Sequence, residues 1–199
     1  MTGAVAAIAI GYVLGSCPFG YWAGRLRGVD LRTQGSGNTG GTNAIRVLGP
    51  AIGVPALVLD IAKGAAAVAA ASLLGGTGIE VLAAAAAIVG HTFSMFLGFR
   101  GGGKAVATGA GAMLALAPEV ALPVVVLWIV VSLATRYISV ASMASAVALV
   151  AGSLVSDQPW PVVAFSLFGA ALVVWRHRSN IARLRAGTEH RLNLRGARS

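Results

Sequence analysis

Residues 105–135 read AVATGAGAMLALAPEVALPVVVLWIVVSLAT, and this stretch decides how often the chain crosses a membrane. Pro118, Glu119 and Pro123 interrupt its apolar run. Because proline lacks a backbone N–H and ends or kinks a helix, the stretch is predicted to divide into two helices, at residues 105–117 and 120–135. The first would be only about 20 Å long at about 1.5 Å rise per residue, so its start is expected to lie recessed beside a cavity.

The whole chain has the composition of a membrane protein. Of its 199 residues, 57% are hydrophobic and 11% are charged, and the mean hydropathy is +0.82. A membrane helix needs roughly 20 apolar residues. The sequence therefore predicts one all-α integral membrane domain over residues 1–199, with about seven transmembrane helices joined by Gly-rich cytoplasmic loops. The other apolar stretches are residues 3–23, expected to be a retained helix and not a signal peptide, and residues 64–79, 81–99, 137–156 and 160–175.

The positions of the charged residues favour seven helices over six. Six would place the Arg-rich C-terminal tail across the membrane from the first Arg-rich loop, although Lys and Arg prefer the cytoplasmic side. Seven place every basic loop on the cytoplasmic side, and Glu80, Glu119 and Asp157 outside. The net charge of +9 is therefore interpreted as topology and not as nucleic-acid binding. The basic residues of the loops and the tail are Arg25, Arg27, Arg32, Arg46, Arg100, Lys104, Arg136 and the seven arginines from Arg176 onward.

The first loop contains GSGNTGGTNAIR at residues 35–46. It matches GxGxxG, but a membrane helix precedes it where a dinucleotide-binding fold has a strand, so that fold is excluded. Successive glycines let backbone N–H groups converge on an anion, and Arg46 offers a planar fork for phosphate oxygens. A flexible turn is the alternative. Neutral donors for an anion come from Ser36, Asn38, Thr42 and Asn43.

The second loop reads GFRGGGKA at residues 98–105. It resembles a P-loop but has Ala105 where the magnesium-binding Ser or Thr belongs, which disfavours a nucleotide hydrolase. A glycine run that ends in Lys104 at the start of a helix is still suited to bind an anion. The alternative is that Arg100 and Lys104 serve only to set the membrane topology and that the glycines only make the loop flexible. Two anion-binding loops on one face suggest two phosphate-bearing substrates.

Several other polar residues fall in or near membrane helices. His91 is a candidate general base or phosphate ligand, or a structural histidine. Asp60 and Lys63 are interpreted as a structural pair that could also reach the polar cavity. Ser142 lies on a Ser-rich helix face typical of packing, and is retained as a substrate contact. Neither a metal nor a cofactor is expected, because the single Cys17 and the scattered histidines show no ligand spacing.

Three segments together resemble a known family. GSGNTGGTNAIRVLG (35–49), GHTFSMFLGFRGGGKAVAT (90–108) and HRSNIARLRAGTEHRL (177–192) are similar to the signature segments of the bacterial acyl-phosphate:glycerol-3-phosphate acyltransferases of the PlsY type. GSCPFG and DIAKG, at residues 15–20 and 60–64, fit as well. Two departures are Gly41 where the family usually has Ala, and a third glycine in residues 101–103.

The resemblance implies a seven-helix enzyme of the bacterial plasma membrane, with an external N-terminus and an active site that faces the cytoplasm. It would transfer a fatty acyl group from acyl phosphate to the 1-hydroxyl of glycerol 3-phosphate, giving lysophosphatidic acid and phosphate, with membrane lipid as its surroundings. Carried over by position, His91, Lys104 and Asn180 would be catalytic. Substrate contacts would fall on Ser36, Asn38, Thr42, Asn43, Arg46, Gly102, Ser142 and Glu189.

The chemistry agrees with the resemblance. Acyl phosphate already carries a phosphate leaving group, so orientation and electrostatic stabilisation suffice for direct transfer without an acyl-enzyme. The hydroxyl proton could pass to His91 or to the substrate's own phosphate. A membrane transporter for an anionic solute is the main alternative, because paired Gly-rich anion loops beside broken helices also suit transport. The third alternative is a relative of this family that has lost activity and serves as a scaffold protein.

The charge pattern predicts that the C-terminal tail lies in the cytoplasm. In a Cys17→Ala background, Ser199→Cys should react with a membrane-impermeant maleimide only after the cells are permeabilised, because the tail arginines favour the inside. Glu80→Cys is the matched control and should react in intact cells. Labelling of Ser199→Cys from outside intact cells would contradict the topology.

Overall fold

A computed structural model describes residues 2–192, and every regular element in that range is a helix. The first half contains α1 (Thr2–Ser16), α2 (Phe19–Arg25), α3 (Gly41–Leu48), α4 (Pro50–Ser72), α5 (Thr77–Thr92) and a 3-10 turn (Met95–Leu97). The second half contains α6 (Val106–Leu116), α7 (Pro118–Thr135), α8 (Ile138–Val155), α9 (Trp160–Arg176) and α10 (Arg178–Arg185).

The predicted all-α membrane fold with about seven transmembrane helices is confirmed. Within the described residues, five segments are long and apolar enough to cross a membrane: Thr2–Arg25, Pro50–Ser72, Thr77–Leu97, α7 and α8. The pair α9 and α10, bent by 52°, makes a sixth span if the two helices are taken together, and α6 is a shorter apolar helix. The division of residues 105–135 is also confirmed, since α6 ends at Leu116 and Pro118 begins α7.

The second membrane helix extends beyond the uncharged stretch that indicated it. That stretch covers residues 64–79, whereas α4 runs from Pro50 to Ser72. Asp60 and Lys63 lie inside the helix as an ion pair, with Lys63 Nζ 2.7 Å from Asp60 Oδ1. Because each charge neutralises the other, the pair costs less inside a membrane helix than an isolated charge would.

Small residues let several helices approach closely. A Cβ at Gly11 or Gly15 of α1 would overlap the backbone of Ala83 or Ala87 on α5. Gly111 of α6 lies equally close to the Ile61 carbonyl on α4. Such contacts replace the hydrophobic effect as the main source of helix association in lipid. They hold α1, α4, α5 and α6 together as the rigid support of the loops that follow.

The contact at Gly111 yields a stability prediction. Gly111→Ala should push α6 away from α4 and lower the free energy of unfolding by about 1–3 kcal/mol. Gly109→Ala, on the same helix, is the matched control because its Cβ would meet nothing closer than Ile88 Cγ2 at 3.7 Å. Thermal unfolding of both purified variants in detergent should show a lower Tm for Gly111→Ala alone. Equal Tm values would contradict the close approach.

Candidate functional site

A cavity of about 300 Å³ lies beside the N-terminal half of α6, at the end of the bundle where the two Gly-rich loops lie. Polar side chains line the end of the cavity nearest the loops. Farther along the helices its wall is apolar and includes Ile88, Met113, Val125, Trp128, Leu149 and Phe165. A cavity with one polar and one apolar end suits a ligand with a charged head and a hydrocarbon chain.

The cavity brings most of the predicted site residues together. Those along its lining are Ser36, Asn38, Thr42, Asn43, Arg46, His91, Lys104, Ser142, Asn180 and Glu189. Gly102 lines a second, neighbouring cavity of about 190 Å³. The residues come from four separate parts of the sequence, so their convergence is a property of the fold.

Asn43 organises the first loop from within. It lies in the first turn of α3 and is only 1% exposed. Its Oδ1 accepts the backbone N–H of Ser36 at 2.9 Å and Arg46 Nη1 at 3.2 Å. Its Nδ2 faces the carbonyl oxygens of Leu31, Gln34 and Asn38 at 2.8 to 3.3 Å. Asn43 thus shapes the loop and orients Arg46.

The second loop is pressed against the end of α5. The Gly103 N–H donates to the His91 carbonyl oxygen at 2.8 Å. A Cβ on Gly103 would overlap the His91 ring, and one on Gly102 would overlap the Thr92 and His91 carbonyl oxygens. Glycine is therefore required at both positions by this close approach.

The two loops are hydrogen-bonded to each other. Asn38 Nδ2 donates to the Gly102 carbonyl at 3.2 Å, and Thr39 Oγ1 donates to the Gly101 carbonyl at 3.1 Å. Arg176, at the end of α9, donates to the Gly102 carbonyl at 2.9 Å and to the Gly103 carbonyl at 3.2 Å. The sequence pattern indicated no role for Thr39 and only a topological charge for Arg176, because their carbonyl partners are distant in sequence.

Lys104 joins the second loop to the C-terminal segment. Its Nζ donates to Asn180 Oδ1. Burial, reinforced by the nearby Arg183, lowers the pKa of Lys104 to about 8. The lysine is thus charged at neutral pH but close to its titration range.

Glu189 holds this C-terminal segment in place. Its Oε1 accepts Asn180 Nδ2 at 2.6 Å and Ser139 Oγ at 2.9 Å, while its Oε2 accepts Arg183 Nε at 2.8 Å. Burial opposes the ionised form, but these hydrogen bonds outweigh it, and the pKa of Glu189 lies below its usual value. Glu189 therefore remains an anion that orients Asn180 toward Lys104.

Ser142 and His177 differ in what they can offer a ligand. The Ser142 hydroxyl donates to the Ile138 carbonyl at 2.8 Å and accepts Trp128 Nε1 at 3.2 Å. His177, which sequence analysis left without a role, has Nδ1 2.7 Å from the Val173 carbonyl oxygen. Because a carbonyl only accepts, Nδ1 carries a proton and neutral His177 keeps Nε2 as an acceptor. His177 begins the HRSN run of the third signature segment, and this run could have indicated a role for it.

The second cavity adjoins the first across Lys104. Both share Ser36, Asn38 and Lys104, and the second adds Arg176 and Arg178. Among the described residues that line this second cavity, none is acidic. Two neighbouring spaces with a common lysine can thus hold two anionic groups side by side.

Comparisons with known proteins agree with this geometry. The family model described as glycerol-3-phosphate acyltransferase matches residues 5–187. The chain is 46% identical over 200 residues to the glycerol-3-phosphate acyltransferase of a Synechococcus strain, covering 100% of both chains. It is also 46% identical over 185 residues to that of Rubrobacter xylanophilus, covering 92% of both.

Two solved structures share the fold. Both are crystal structures of PlsY (YgiH), an integral membrane glycerol 3-phosphate acyltransferase. The glycerol 3-phosphate form matches with a TM-score of 0.91 and 38% identity over 96% of each chain. The lysophosphatidic acid form matches with a TM-score of 0.87 and 37% identity over 94% of each chain.

Proposed function

The chain belongs to the glycerol-3-phosphate acyltransferase family, and from that premise we propose that it moves a fatty acyl group from acyl phosphate to glycerol 3-phosphate. The acceptor is the 1-hydroxyl, and the products are lysophosphatidic acid and phosphate. One observation carries the proposal: a cavity whose polar end holds Arg46 and Lys104 continues into an apolar wall. This arrangement matches an acceptor phosphate at one end and an acyl chain at the other.

The two cavities suggest how the two phosphates are divided. The acceptor phosphate lies in the larger cavity, at Arg46 with Ser36 and Thr42. The donor phosphate occupies the smaller one, which Arg176 and Arg178 make strongly positive. Lys104 borders both spaces, so it can stabilise charge that moves from the acyl carbonyl to the leaving phosphate. The donor's acyl chain extends along the apolar wall.

The reaction needs no group covalently attached to the protein. The acceptor hydroxyl attacks the acyl carbonyl carbon, forming a new C–O bond. The bond from that carbon to the phosphate oxygen then breaks, and phosphate leaves with the electron pair. A base takes the hydroxyl proton, and three groups fit this role: His177 through Nε2, His91, and a substrate phosphate. Arg46, Lys104 and Asn180 orient the reactants.

The distribution of charge supports a cytoplasmic site in a bacterial plasma membrane. The basic loops and α10 lie at the end of the bundle that holds the polar half of the cavity, as the preference of Lys and Arg for the inside requires. The surrounding lipid can supply the donor chain and receive the product. Transport of an anion is disfavoured, because Ala117, Val120 and Val162 are buried in the apolar core that follows the cavity.

Loss of either cation should impair acyl transfer. Lys104→Met and Arg46→Met should each lower kcat/KM for glycerol 3-phosphate by about 100-fold, or roughly 3 kcal/mol, because a buried phosphate would lose a charge-assisted contact. Arg27→Met is the matched control, since Arg27 is exposed on the same face and lines neither cavity. Similar losses in all three variants would point to general electrostatics.

The pH dependence tests the same lysine independently. Because the pKa of Lys104 is lowered to about 8, the charged form that binds phosphate is lost as pH rises through that value. KM for glycerol 3-phosphate should therefore increase above about pH 8. Lys104→Arg should bind less well at neutral pH but show a flatter profile, since guanidinium stays charged. An unchanged profile in Lys104→Arg would exclude Lys104 as the titrating group.

Direct transfer from acyl phosphate predicts sequential kinetics. Purified protein should form lysophosphatidic acid with acyl phosphate as donor, and acyl-CoA and acyl carrier protein thioesters should not replace it. Double-reciprocal plots with both substrates varied should intersect, because both must be bound before transfer. Cys17→Ala is the control for a cysteine nucleophile and should retain turnover.

Mass spectrometry of protein incubated with acyl phosphate alone completes this test. Direct transfer leaves the protein unmodified. Parallel double-reciprocal lines, together with an acylated Ser36 or Cys17 peptide, would replace direct transfer with a covalent route.

A further inference from the structure

A buried ionic cluster lies beneath the two loops, formed by Asp60 and Lys63 of α4 and His91 of α5. Their exposed fractions are 1%, 5% and 7%. Lys63 Nζ lies 2.7 Å from Asp60 Oδ1, and His91 Nδ1 lies 3.7 Å from the same oxygen. Charges at membrane depth are costly and usually have a function. The reaction described above assigns none to Asp60 or Lys63.

Lys63 contacts the end of a helix as well as Asp60. Pro18 lacks a backbone N–H and interrupts the first span between α1 and α2, which leaves carbonyls at the end of α1 without their usual partners. Lys63 Nζ donates to the Cys17 carbonyl oxygen at 2.6 Å. The lysine cation is also favourable here because the C-terminal end of a helix carries partial negative charge.

Asp60 makes the complementary contact at the start of α3. That helix begins at Gly41 and has no side-chain cap of its own. The start of α3 packs directly on α4, since a Cβ on Gly41 would overlap Leu57, three residues before Asp60, and the Gly41 N–H faces the Asp60 carboxylate. The N-terminal end of a helix carries partial positive charge, so a carboxylate stabilises it there. α3 carries Thr42, Asn43 and Arg46, so Asp60 fixes the helix that presents the first loop's phosphate-binding groups.

His91 extends the cluster to the second loop. Its ring packs against Gly103, and its carbonyl oxygen accepts the Gly103 N–H at 2.8 Å. Thr108 of α6 donates to the Asp60 carbonyl at 3.0 Å, which also ties α4 to the helix that follows Lys104. The cluster therefore contacts the supports of both loops.

We propose that Asp60 and Lys63 are positioning residues for the acyl transfer proposed above, holding Arg46 and Lys104 at a fixed separation by capping two helix ends with opposite charges. The order of the charges is essential, because the cation faces a helix C-terminus and the anion a helix N-terminus. A pair that merely neutralised itself would have no such polarity. Displacement of reacting groups by about 1 Å can lower a rate by about 100-fold.

The test uses the full-length protein in detergent and removes both charges together, so that neither is left buried alone. Asp60→Asn/Lys63→Gln should fold, yet kcat should fall by about 10- to 100-fold and KM for glycerol 3-phosphate should rise. The exchanged pair Asp60→Lys/Lys63→Asp should not recover either parameter. Val68→Ala is the matched control: it is buried on α4 but lines neither cavity, so it should lower Tm while kcat and KM stay within about twofold.

Three results would overturn the proposal. The first is that Asp60→Asn/Lys63→Gln has the same kcat and the same KM as the parent protein. The second is that the exchanged pair recovers both parameters. The third is failure of the doubly neutral variant to fold while Val68→Ala folds, because the pair would then be required for folding itself. If the parent protein transfers no acyl group, the proposed function fails and the positioning role is tested by binding alone. Binding of glycerol 3-phosphate to the same variants is then measured by calorimetry. The positioning role predicts that the Kd of Asp60→Asn/Lys63→Gln is raised about tenfold or more.

Discussion

The hydrogen bonds between the two Gly-rich loops are the interaction on which the site depends. Irregular backbone near the membrane interior must satisfy its polar groups within the protein. The carbonyls of Gly101, Gly102 and Gly103 do so with donors from the first loop and from the end of α9. Because Arg46 follows one loop and Lys104 ends the other, the same bonds set the distance between these two cations.

Electrostatics at this junction follow from burial. Lys104 lies between two cavities and close to several arginines, and this surrounding positive charge adds to desolvation in lowering its pKa. Glu189 offsets part of that repulsion while it holds Asn180 and Arg183 by hydrogen bonds. A site with this excess of positive charge favours an anion, since an anion both pairs with the cations and relieves their mutual repulsion.

The sequence predicted the helical architecture and much of the site, and its errors have a common origin. Pro118 marked a helix boundary by a local property of proline, so the division of residues 105–135 could be foreseen. The pairing of Asp60 and Lys63 was also foreseen from their spacing, whereas the start of α4 at Pro50 lies well before the uncharged stretch of residues 64–79. Thr39, Arg176 and His177 were missed. Their roles depend on partners that only the folded chain brings near.

Each of the three glycines at residues 101–103 is restricted by the structure around it. Gly101 has φ +71°, a conformation that favours glycine, and its carbonyl accepts Thr39. Gly102 and Gly103 are held to glycine by a different constraint, the contact with the end of α5 that leaves no room for a Cβ. Backbone conformation restricts one residue and steric contact the other two. The three adjacent glycines therefore meet three separate structural requirements, and they do not make the loop flexible. A loop restricted at each residue can present Lys104 in one orientation, as electrostatic preorganisation requires.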